Sequence, residues 1–304
     1  MPKQIKVARR LRQLLKRDKP ILFAGVYDAL SARIAERAGF DGVWVSGYAV
    51  AATLLGTPDI GLVTLSEMVE RARHIARAVD IPVVVDGEVG YGNALNVMRT
   101  VQEFIDAGAV GMQLGDEAQE TCPYLGMPTK ILDLQEAVLK IKAAIDARGD
   151  GDFLIFSSPQ HGLDRAVAYA KAGADGVLMP RVYIAGDNPD PKWVKALKEV
   201  RKAGAAPVAI NTPFIEPVTN DRLAKAGYKV IVCAVENLYA SAKVQADLWR
   251  EYMTKGTTKG FANRMYTKQD EFLPLVNEAS FHRAAKEFLT ADYVEIEERK
   301  RFAR

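Results

Sequence analysis

The sequence predicts an α/β fold, a (β/α)8 (TIM) barrel in which eight parallel strands alternate with helices. One pattern recurs along the chain, a helix ending at Ala-Gly and then a hydrophobic run. It occurs at residues 38–46, 107–114 and 172–180, and in shorter form at 203–210 and 226–232. Each glycine is typical of a left-handed helix end, and each unbroken hydrophobic run is typical of a parallel strand covered on both faces. Eight such alternations favour a closed barrel.

An open, doubly wound sheet is the alternative fold. Such a sheet normally carries a glycine-rich phosphate-binding loop after its first strand. Residues 24–28 read Ala-Gly-Val-Tyr-Asp, which is not a loop of that kind. The sequence therefore favours the barrel.

The predicted elements follow from the hydrophobic pattern. Hydrophobic runs predict strands within residues 21–24, 40–46, 82–86, 109–114, 153–157, 174–180, 205–210 and 228–232. Amphipathic segments between them predict helices at residues 29–37, 65–78, 94–106, 134–147, 164–171, 192–202 and 221–226. Beyond the eighth strand we expect a helix from 238 to about 253, a linker at 255–260 and a helix at 275–288.

Composition limits the class of protein. The chain has 304 residues, 49% of them hydrophobic, and a net charge of +3 with acids and bases interleaved, which argues against nucleic-acid binding. We expect a single barrel domain over residues 1–304, with residues from about 255 to 304 forming a C-terminal helical extension. No hydrophobic run reaches the roughly 18 residues of a membrane span. The basic N-terminal segment lacks the apolar core of a signal peptide, and the two cysteines form no disulfide or zinc pattern, so we expect a cytoplasmic protein.

Acidic residues follow the third and fourth predicted strands. They are Asp86, Glu88, Asp116 and Glu117. Barrel enzymes build their sites at the C-terminal ends of the strands, so these carboxylates should meet at one mouth and repel each other. A hard divalent cation relieves that repulsion, and oxygen ligands favour Mg²⁺. For any single acid, such as Asp86 or Asp116, the alternative is that it only caps the following helix.

Three further side chains could carry chemistry in the predicted loops. Residues 115–131 form a loop long enough to act as a lid, and Cys122 within it is either a general acid or base or an incidental cysteine. His161 follows the fifth strand and either moves protons or orients a loop. Arg181 follows the sixth strand and either binds a substrate carboxylate or pairs with one of the acids.

Two stretches resemble a known family. Residues 46–61 read SGYAVAATLLGTPDIG, similar to the pattern SGxxxAxxxLGxPDxG, and residues 85–92 read VDGEVGYG, similar to VDxDtGyG. These are patterns of the isocitrate lyase and phosphoenolpyruvate mutase superfamily, and the similarity extends from about residue 11 to residue 289. The resemblance itself implies a (β/α)8 barrel with extra C-terminal helices that are exchanged between the subunits of a homotetramer.

The resemblance also implies roles for individual residues. The counterparts of Ser46, Gly47 and Tyr48 hold a substrate carboxylate, and Asn211 resembles a substrate-binding asparagine after the seventh strand. The family binds Mg²⁺, directly or through water, at the positions that match Asp59, Asp86, Glu88 and Asp116. The candidate catalytic residues are Cys122, which matches a proton-donating lid cysteine, Asp59 and His161. The shared chemistry is formation or capture of a pyruvate-like enolate chelated to Mg²⁺.

The sequence departs from the family at several of these positions. Gly115 stands where the pattern has an acid, and residues 120–124 lack the Lys, Gly and His that surround the lid cysteine. Ser158 replaces an arginine that grips a carboxylate. Either Arg181 takes over that task or the substrate lacks the second carboxylate. Tyr48 is larger than the usual residue and should narrow the pocket.

Three functions remain open from the sequence. Retention of Cys122, Asp86 and Glu88 favours a Mg²⁺-dependent lyase that breaks a carbon–carbon bond in a 2-hydroxy or 2-oxo carboxylic acid. The altered gripping residues leave open a 2-oxo acid hydrolase or decarboxylase, or a phosphonopyruvate-type enzyme, on the same scaffold. The lost acid and arginine leave open a non-catalytic barrel that serves as a binding or assembly subunit. Retention of Asp59, Asp86 and Asp116 argues against that last function.

Overall fold

The computed structural model describes residues 3–118, 129–160, 162–179, 190–212 and 218–289. Eight parallel strands close into a barrel, in which each strand pairs with the next along the chain and the last pairs with the first. The strands are β1 (Ile21–Val26), β2 (Gly42–Val45), β3 (Val83–Asp86), β4 (Gly111–Gly115), β5 (Leu154–Ser158), β6 (Gly176–Leu178), β7 (Ala206–Asn211) and β8 (Val230–Cys233). The predicted (β/α)8 barrel is confirmed.

The seven helices predicted between the strands begin and end within one residue of the predicted bounds, whereas the helix after the eighth strand extends two residues beyond its predicted bounds at each end. The α-helices of the described residues are α1 (Lys3–Lys16), α2 (Ala29–Arg37), α3 (Gly47–Val50), α4 (Leu65–Ala78), α5 (Ala94–Ala107), α6 (Leu134–Arg148), α7 (Leu163–Lys171), α8 (Pro191–Lys202), α9 (Asn220–Ala226), α10 (Glu236–Lys255), α11 (Gln269–Phe272) and α12 (Glu278–Phe288). Local sequence explains their starts. At α4, Thr64 accepts a hydrogen bond from the Glu67 amide, and the Glu67 carboxylate accepts one from the Thr64 amide.

The barrel interior is filled by large apolar side chains. The rings of Phe23 and Phe156 stand edge-on to Trp44, with ring centroids 5.7 and 5.1 Å away from it. Helix α1, which the sequence reading did not predict, adds Ala8 and the fully buried Leu11 to this interior cluster. Because α1 also hydrogen-bonds to the segment just before β4, it closes the N-terminal end of the barrel. The opposite end is left for the site.

The chain divides into two compact units, Met1–Ala240 and Ser241–Arg304, and the barrel lies in the first. In the second, Asp247 on α10 pairs with three cations, Lys243, Arg250 and Arg264. The helix predicted over 275–288 begins only at Glu278, because Asn277 adopts φ +60° and ends the preceding 3₁₀ turn, Leu273–Val276. The single-domain organisation and the exchange of helices between subunits stay predictions. No helix in the described ranges combines the length and the hydrophobicity of a membrane span.

Candidate functional site

The last residue of β3, Asp86, and the loop after it carry two of the predicted acids at the C-terminal mouth of the barrel. The Glu88 amide donates a hydrogen bond to Asp86 Oδ1 at 3.1 Å, which ties the start of the loop to its own strand end. Glu88 has φ +50° and Tyr91 has φ +57°. Left-handed backbone at a residue other than glycine costs on the order of 1 kcal/mol and occurs where the surrounding structure requires it. The loop is therefore held in a strained conformation that fixes where Glu88 lies.

Gly47 lies against both of these acids. A Cβ at position 47 would stand 1.9 Å from Glu88 Oε1 and 3.3 Å from Asp86 Oδ2. A larger residue at 47 would have to displace the Glu88 carboxylate from its place beside α3. The Gly47 amide donates to Asp86 Oδ2 at 3.4 Å, and the neighbouring Ser46 hydroxyl caps α3 by accepting from the Ala49 amide at 3.3 Å. Three of the predicted residues, Ser46, Gly47 and Asp86, are thus brought together.

Asp59 and Asp86 perturb each other electrostatically. Burial raises the pKa of Asp86 to about 7, and the negative charge of Asp59 contributes to the rise. Burial likewise raises the pKa of Asp59 to about 6. The Gln113 side chain offsets part of this cost because its amide donates to Asp86 Oδ1 at 3.3 Å. The two acids are 27 residues apart in the chain, but the charge of one acts on the other, so both lie at the same part of the mouth.

Glu117 is a further member of this acidic group. Its side chain is only 6% exposed. Burial raises its pKa to about 7, with added contributions from the charges of Asp116, Asp86 and Asp59. Nearby, the buried Lys140 of α6 donates to the carbonyl oxygen of Val89, in the loop after β3. Burial lowers the pKa of Lys140, while the charge of Glu117 acts in the opposite direction.

Asp116, one residue earlier, is hydrogen-bonded to groups in and just before α7. Its Oδ2 accepts from Arg165 Nε at 2.7 Å and from the Tyr169 hydroxyl at 2.6 Å, and its Oδ1 accepts from the Gln160 amide at 2.9 Å. Burial raises the pKa of Tyr169, and its hydrogen bond to Asp116 raises it further. The predicted metal role of Asp116 stays a prediction, whereas its observed contacts join β4 to α7.

Arg165 and Tyr169 were missed by the sequence reading. The signal was their spacing of four residues on α7, which puts an arginine and a tyrosine on one helical face next to the barrel mouth. Lys140 was missed for a different reason, because a lysine on an amphipathic helix usually lies in solvent and this one is buried.

The predicted substrate-binding residues line other parts of the mouth. The Tyr48 hydroxyl lies 2.9 Å from the Tyr239 hydroxyl of α10, with the two rings edge to face and their centroids 6.3 Å apart. This pair makes the α3 side of the mouth aromatic. Asn211 ends β7, and its side-chain amide donates to the Val218 carbonyl oxygen at 3.3 Å.

Three predicted residues lie outside the described residues, namely Cys122, His161 and Arg181. Ser158, which stands where the family pattern has an arginine, ends β5 and pairs in register with Gly115 of β4. Positions 115 and 158, two of the departures from the family pattern noted above, are therefore neighbours on adjacent strand ends.

The donor set at the mouth fits Mg²⁺ by its chemistry. Within the described ranges, no group of three His, Cys, Asp or Glu side chains is arranged so as to hold a metal ion. Mg²⁺ keeps several of its waters and needs only one or two protein carboxylates, so it does not require such a group. The carboxylates of Asp86 and Glu88 both approach Gly47, and carboxylate oxygens are hard donors of the kind that Mg²⁺ prefers. A cation there would also relieve the repulsion that raises the pKa of Asp86.

Comparisons with known proteins agree with this geometry. A family model described as phosphoenolpyruvate phosphomutase matches residues 11–252. A 2,3-dimethylmalate lyase of Eubacterium barkeri is 33% identical over 275 residues, covering 86% of this chain and 91% of the relative. A 2-methylisocitrate lyase of Aeropyrum pernix is 33% identical over 300 residues, covering 92% of each chain. An oxaloacetate decarboxylase of Rhodopseudomonas palustris is 34% identical over 251 residues, covering 78% of this chain and 84% of the relative.

The fold agrees as well. The crystal structure of phosphoenolpyruvate phosphomutase from Streptomyces platensis superposes with a TM-score of 0.83 at 29% identity, covering 93% of this chain and 99% of that one. The relatives are carbon–carbon lyases and related enzymes. With most of its length matched by the family model, this chain belongs to the phosphoenolpyruvate phosphomutase family, within the isocitrate lyase and phosphoenolpyruvate mutase superfamily.

Proposed function

We propose that this protein is a Mg²⁺-dependent lyase that breaks a carbon–carbon bond in a 2-hydroxy or 2-oxo carboxylic acid. The observation that carries the proposal is the convergence of Asp86, Glu88 and the Asp59 charge on the space beside Gly47. Relatives that act as 2,3-dimethylmalate lyase and 2-methylisocitrate lyase support this class of reaction.

The residues at the mouth divide the work in this proposal. Asp86 and Glu88 would hold Mg²⁺, with Asp59 acting through water. When bound, the ion would supply positive charge opposite the oxygen on which negative charge develops during cleavage. The backbone amides at the start of α3 would hold a substrate carboxylate. Because the Gly47 amide donates to Asp86, a substrate carboxylate would share that amide or replace the existing bond.

The substrate-facing side chains complete the proposal. Tyr48, fixed by its hydroxyl contact with Tyr239, would limit the size of the group that enters beside the carboxylate. Asn211 and Arg181 would bind the other end of the substrate, Cys122 would protonate the product, and His161 would move a proton or orient its loop. The proposal also includes a homotetramer in the cytoplasm, the first from the family resemblance and the second from the cysteine usage.

The test is calorimetric titration of oxalate, a mimic of the pyruvate enolate, with and without Mg²⁺. We expect oxalate to bind only with Mg²⁺ present, and an Asp86→Ala variant to lose that binding. The matched control is Asp80→Ala, which removes an exposed carboxylate before β3, at the far end of the barrel, and should bind as the unmodified protein does. Absence of Mg²⁺-dependent binding in the unmodified protein would contradict the proposal and favour a non-catalytic barrel.

Decarboxylation is the second candidate function. It is favoured by the 34% identity to an oxaloacetate decarboxylase. Incubation with substituted malates and 2-oxo acids separates the two reactions by their products. A lyase releases two organic fragments, whereas a decarboxylase releases carbon dioxide and one organic product.

A further inference from the structure

Gly115 and Glu117 share one space at the end of β4. A Cβ at position 115 would lie 2.7 Å from Glu117 Oε2 and 3.3 Å from the Glu88 carbonyl oxygen. Real Cβ atoms do not approach an oxygen this closely, so the Glu117 side chain folds back over the strand end and occupies the place where a side chain at 115 would begin. A residue with a side chain at 115 would have to displace the Glu117 carboxylate from this position.

We infer that Glu117, rather than Asp116, is the acid that joins Asp86 and Glu88 at the Mg²⁺ site, where it would act on the ion through water rather than as a direct ligand. The inference rests on the proposed Mg²⁺ dependence. Asp116 has both oxygens engaged, by the Gln160 amide on one and by Arg165 and Tyr169 on the other. Turning it towards a cation would leave the Arg165 guanidinium without its carboxylate partner, at a position where that side chain is only 17% exposed.

Glu117 has the opposite character. It is 94% buried, it stands beside the backbone of Glu88, and it lies within electrostatic range of Asp86 and Asp59. It is therefore inside the acidic group, whereas Asp116 is tied to α7. A buried carboxylate facing other carboxylates is stabilised either by taking up a proton or by a compensating positive charge, and near neutral pH a bound cation can replace the proton.

Lys140, whose pKa responds to the charge of Glu117, does not supply that positive charge. Its ammonium donates to the Val89 carbonyl oxygen, and no described contact of 4.0 Å or less joins it to a carboxylate. One lysine also cannot balance the charges of Asp59, Asp86 and Glu117 together. We assign Lys140 to positioning the loop after β3, and a divalent cation remains the group that fits.

The test is calorimetric titration of Mg²⁺ into the metal-free protein. Glu117→Gln keeps the shape of the side chain and removes its charge, and we expect the affinity for Mg²⁺ to fall by roughly 10- to 100-fold. Glu136→Gln is the matched control, since it removes an exposed carboxylate that also acts on Lys140, and its affinity should stay within about twofold of the unmodified protein.

A second variant keeps the test independent of the folding of Glu117→Gln. Gly115→Ala changes no charge, but its methyl group takes the space of Glu117 Oε2, so it should also weaken Mg²⁺ binding. If the unmodified protein binds Mg²⁺ and both variants bind it equally well, the assignment of Glu117 is wrong and the proposed function stands. If the unmodified protein does not bind Mg²⁺, both proposals fall.

Discussion

The acids at the barrel mouth are individually unfavourable as anions. Burial raises the pKa of Asp59 to about 6, and burial together with repulsion from neighbouring acids raises the pKa values of Asp86 and Glu117 to about 7. Near neutral pH the metal-free site therefore holds protons that an exposed cluster of carboxylates would have released. A cation that binds there has to displace those protons, because its ligands must be ionised.

This competition gives a pH dependence of metal binding. As the pH rises from about 5 to about 8, the protons leave Asp59, Asp86 and Glu117, so we expect the dissociation constant for Mg²⁺ to fall and then level off. Calorimetry in two buffers of different ionisation heat should detect proton release at the lower pH and little at the higher pH. The Asp59→Asn variant, which keeps the proposed ligands Asp86 and Glu88 but cannot bind a proton at position 59, should show a weaker dependence. An affinity that is constant over this pH range would contradict the values given for these acids.

The site could be predicted from the sequence because residues at the C-terminal end of a barrel strand must lie at the C-terminal mouth of the barrel. Asp86 and Glu88 follow β3, and parallel strands bring their C-terminal ends to one mouth, so a position in the chain implied a position in space. The choice between Asp116 and Glu117 could not be made in that way. It depends on Arg165 and Tyr169, which lie about fifty residues later and draw Asp116 towards α7.

At the scale of elements, Asp116 is the link between β4 and α7. It bonds to two side chains of α7 and to the Gln160 amide just before that helix, so one buried carboxylate holds three groups. Hydrogen bonds to a charged group contribute about 1.5–3 kcal/mol each in mutational studies, and a buried partner left unpaired costs free energy in addition.

Asp116→Asn should therefore lower the free energy of unfolding in urea by about 2–3 kcal/mol. Its Mg²⁺ affinity should fall far less than that of Glu117→Gln. A cycle with Arg165→Met separates the pair from its surroundings, because the second substitution should cost much less once Asp116 is gone. If Asp116→Asn instead keeps its stability and loses Mg²⁺ binding, Asp116 is a metal ligand and not a structural link.

The same scale explains which elements were predicted. Each barrel helix belongs to one copy of the repeated helix, Ala-Gly and strand pattern, so comparison of the copies shows where the helices end. Helix α1 lies outside the repeat and is rich in lysine and arginine, so its buried positions, Ala8 and Leu11, were not recognised. Their spacing of three, continued by the partly buried Leu14, is nevertheless helical. Local geometry at Asn277, rather than hydrophobic pattern, sets the start of α12.

At the scale of the whole molecule, the parallel pairing of β2, β3 and β4 as neighbours in the barrel brings Asp59, Asp86 and Glu117 together at three adjacent strand ends. No short sequence motif by itself shows that these three acids lie close together. The strained loop at Glu88 and Tyr91 and the burial of the acids both lower the stability of the fold in exchange for a preformed cluster of charge. A bound cation should return part of that stability, since it binds the native state and not the unfolded chain.

The pH dependence of stability follows from the same acids. Their native pKa values lie above the unfolded values of about 4, so the native state holds more protons between about pH 4 and about pH 7. The stability contributed by these protonated carboxyls is complete below about pH 4 and is lost as the pH rises through 6 and 7. Without metal, the contribution of these three acids to the free energy of unfolding should therefore fall as the pH rises over that range.

Mg²⁺ should raise the midpoint of thermal unfolding more at about pH 8 than at about pH 5, where protons already neutralise the acids. Thermal unfolding with Mg²⁺ or with a chelator at both pH values measures the difference. Equal shifts at the two pH values would mean that the cation binds away from Asp59, Asp86 and Glu117.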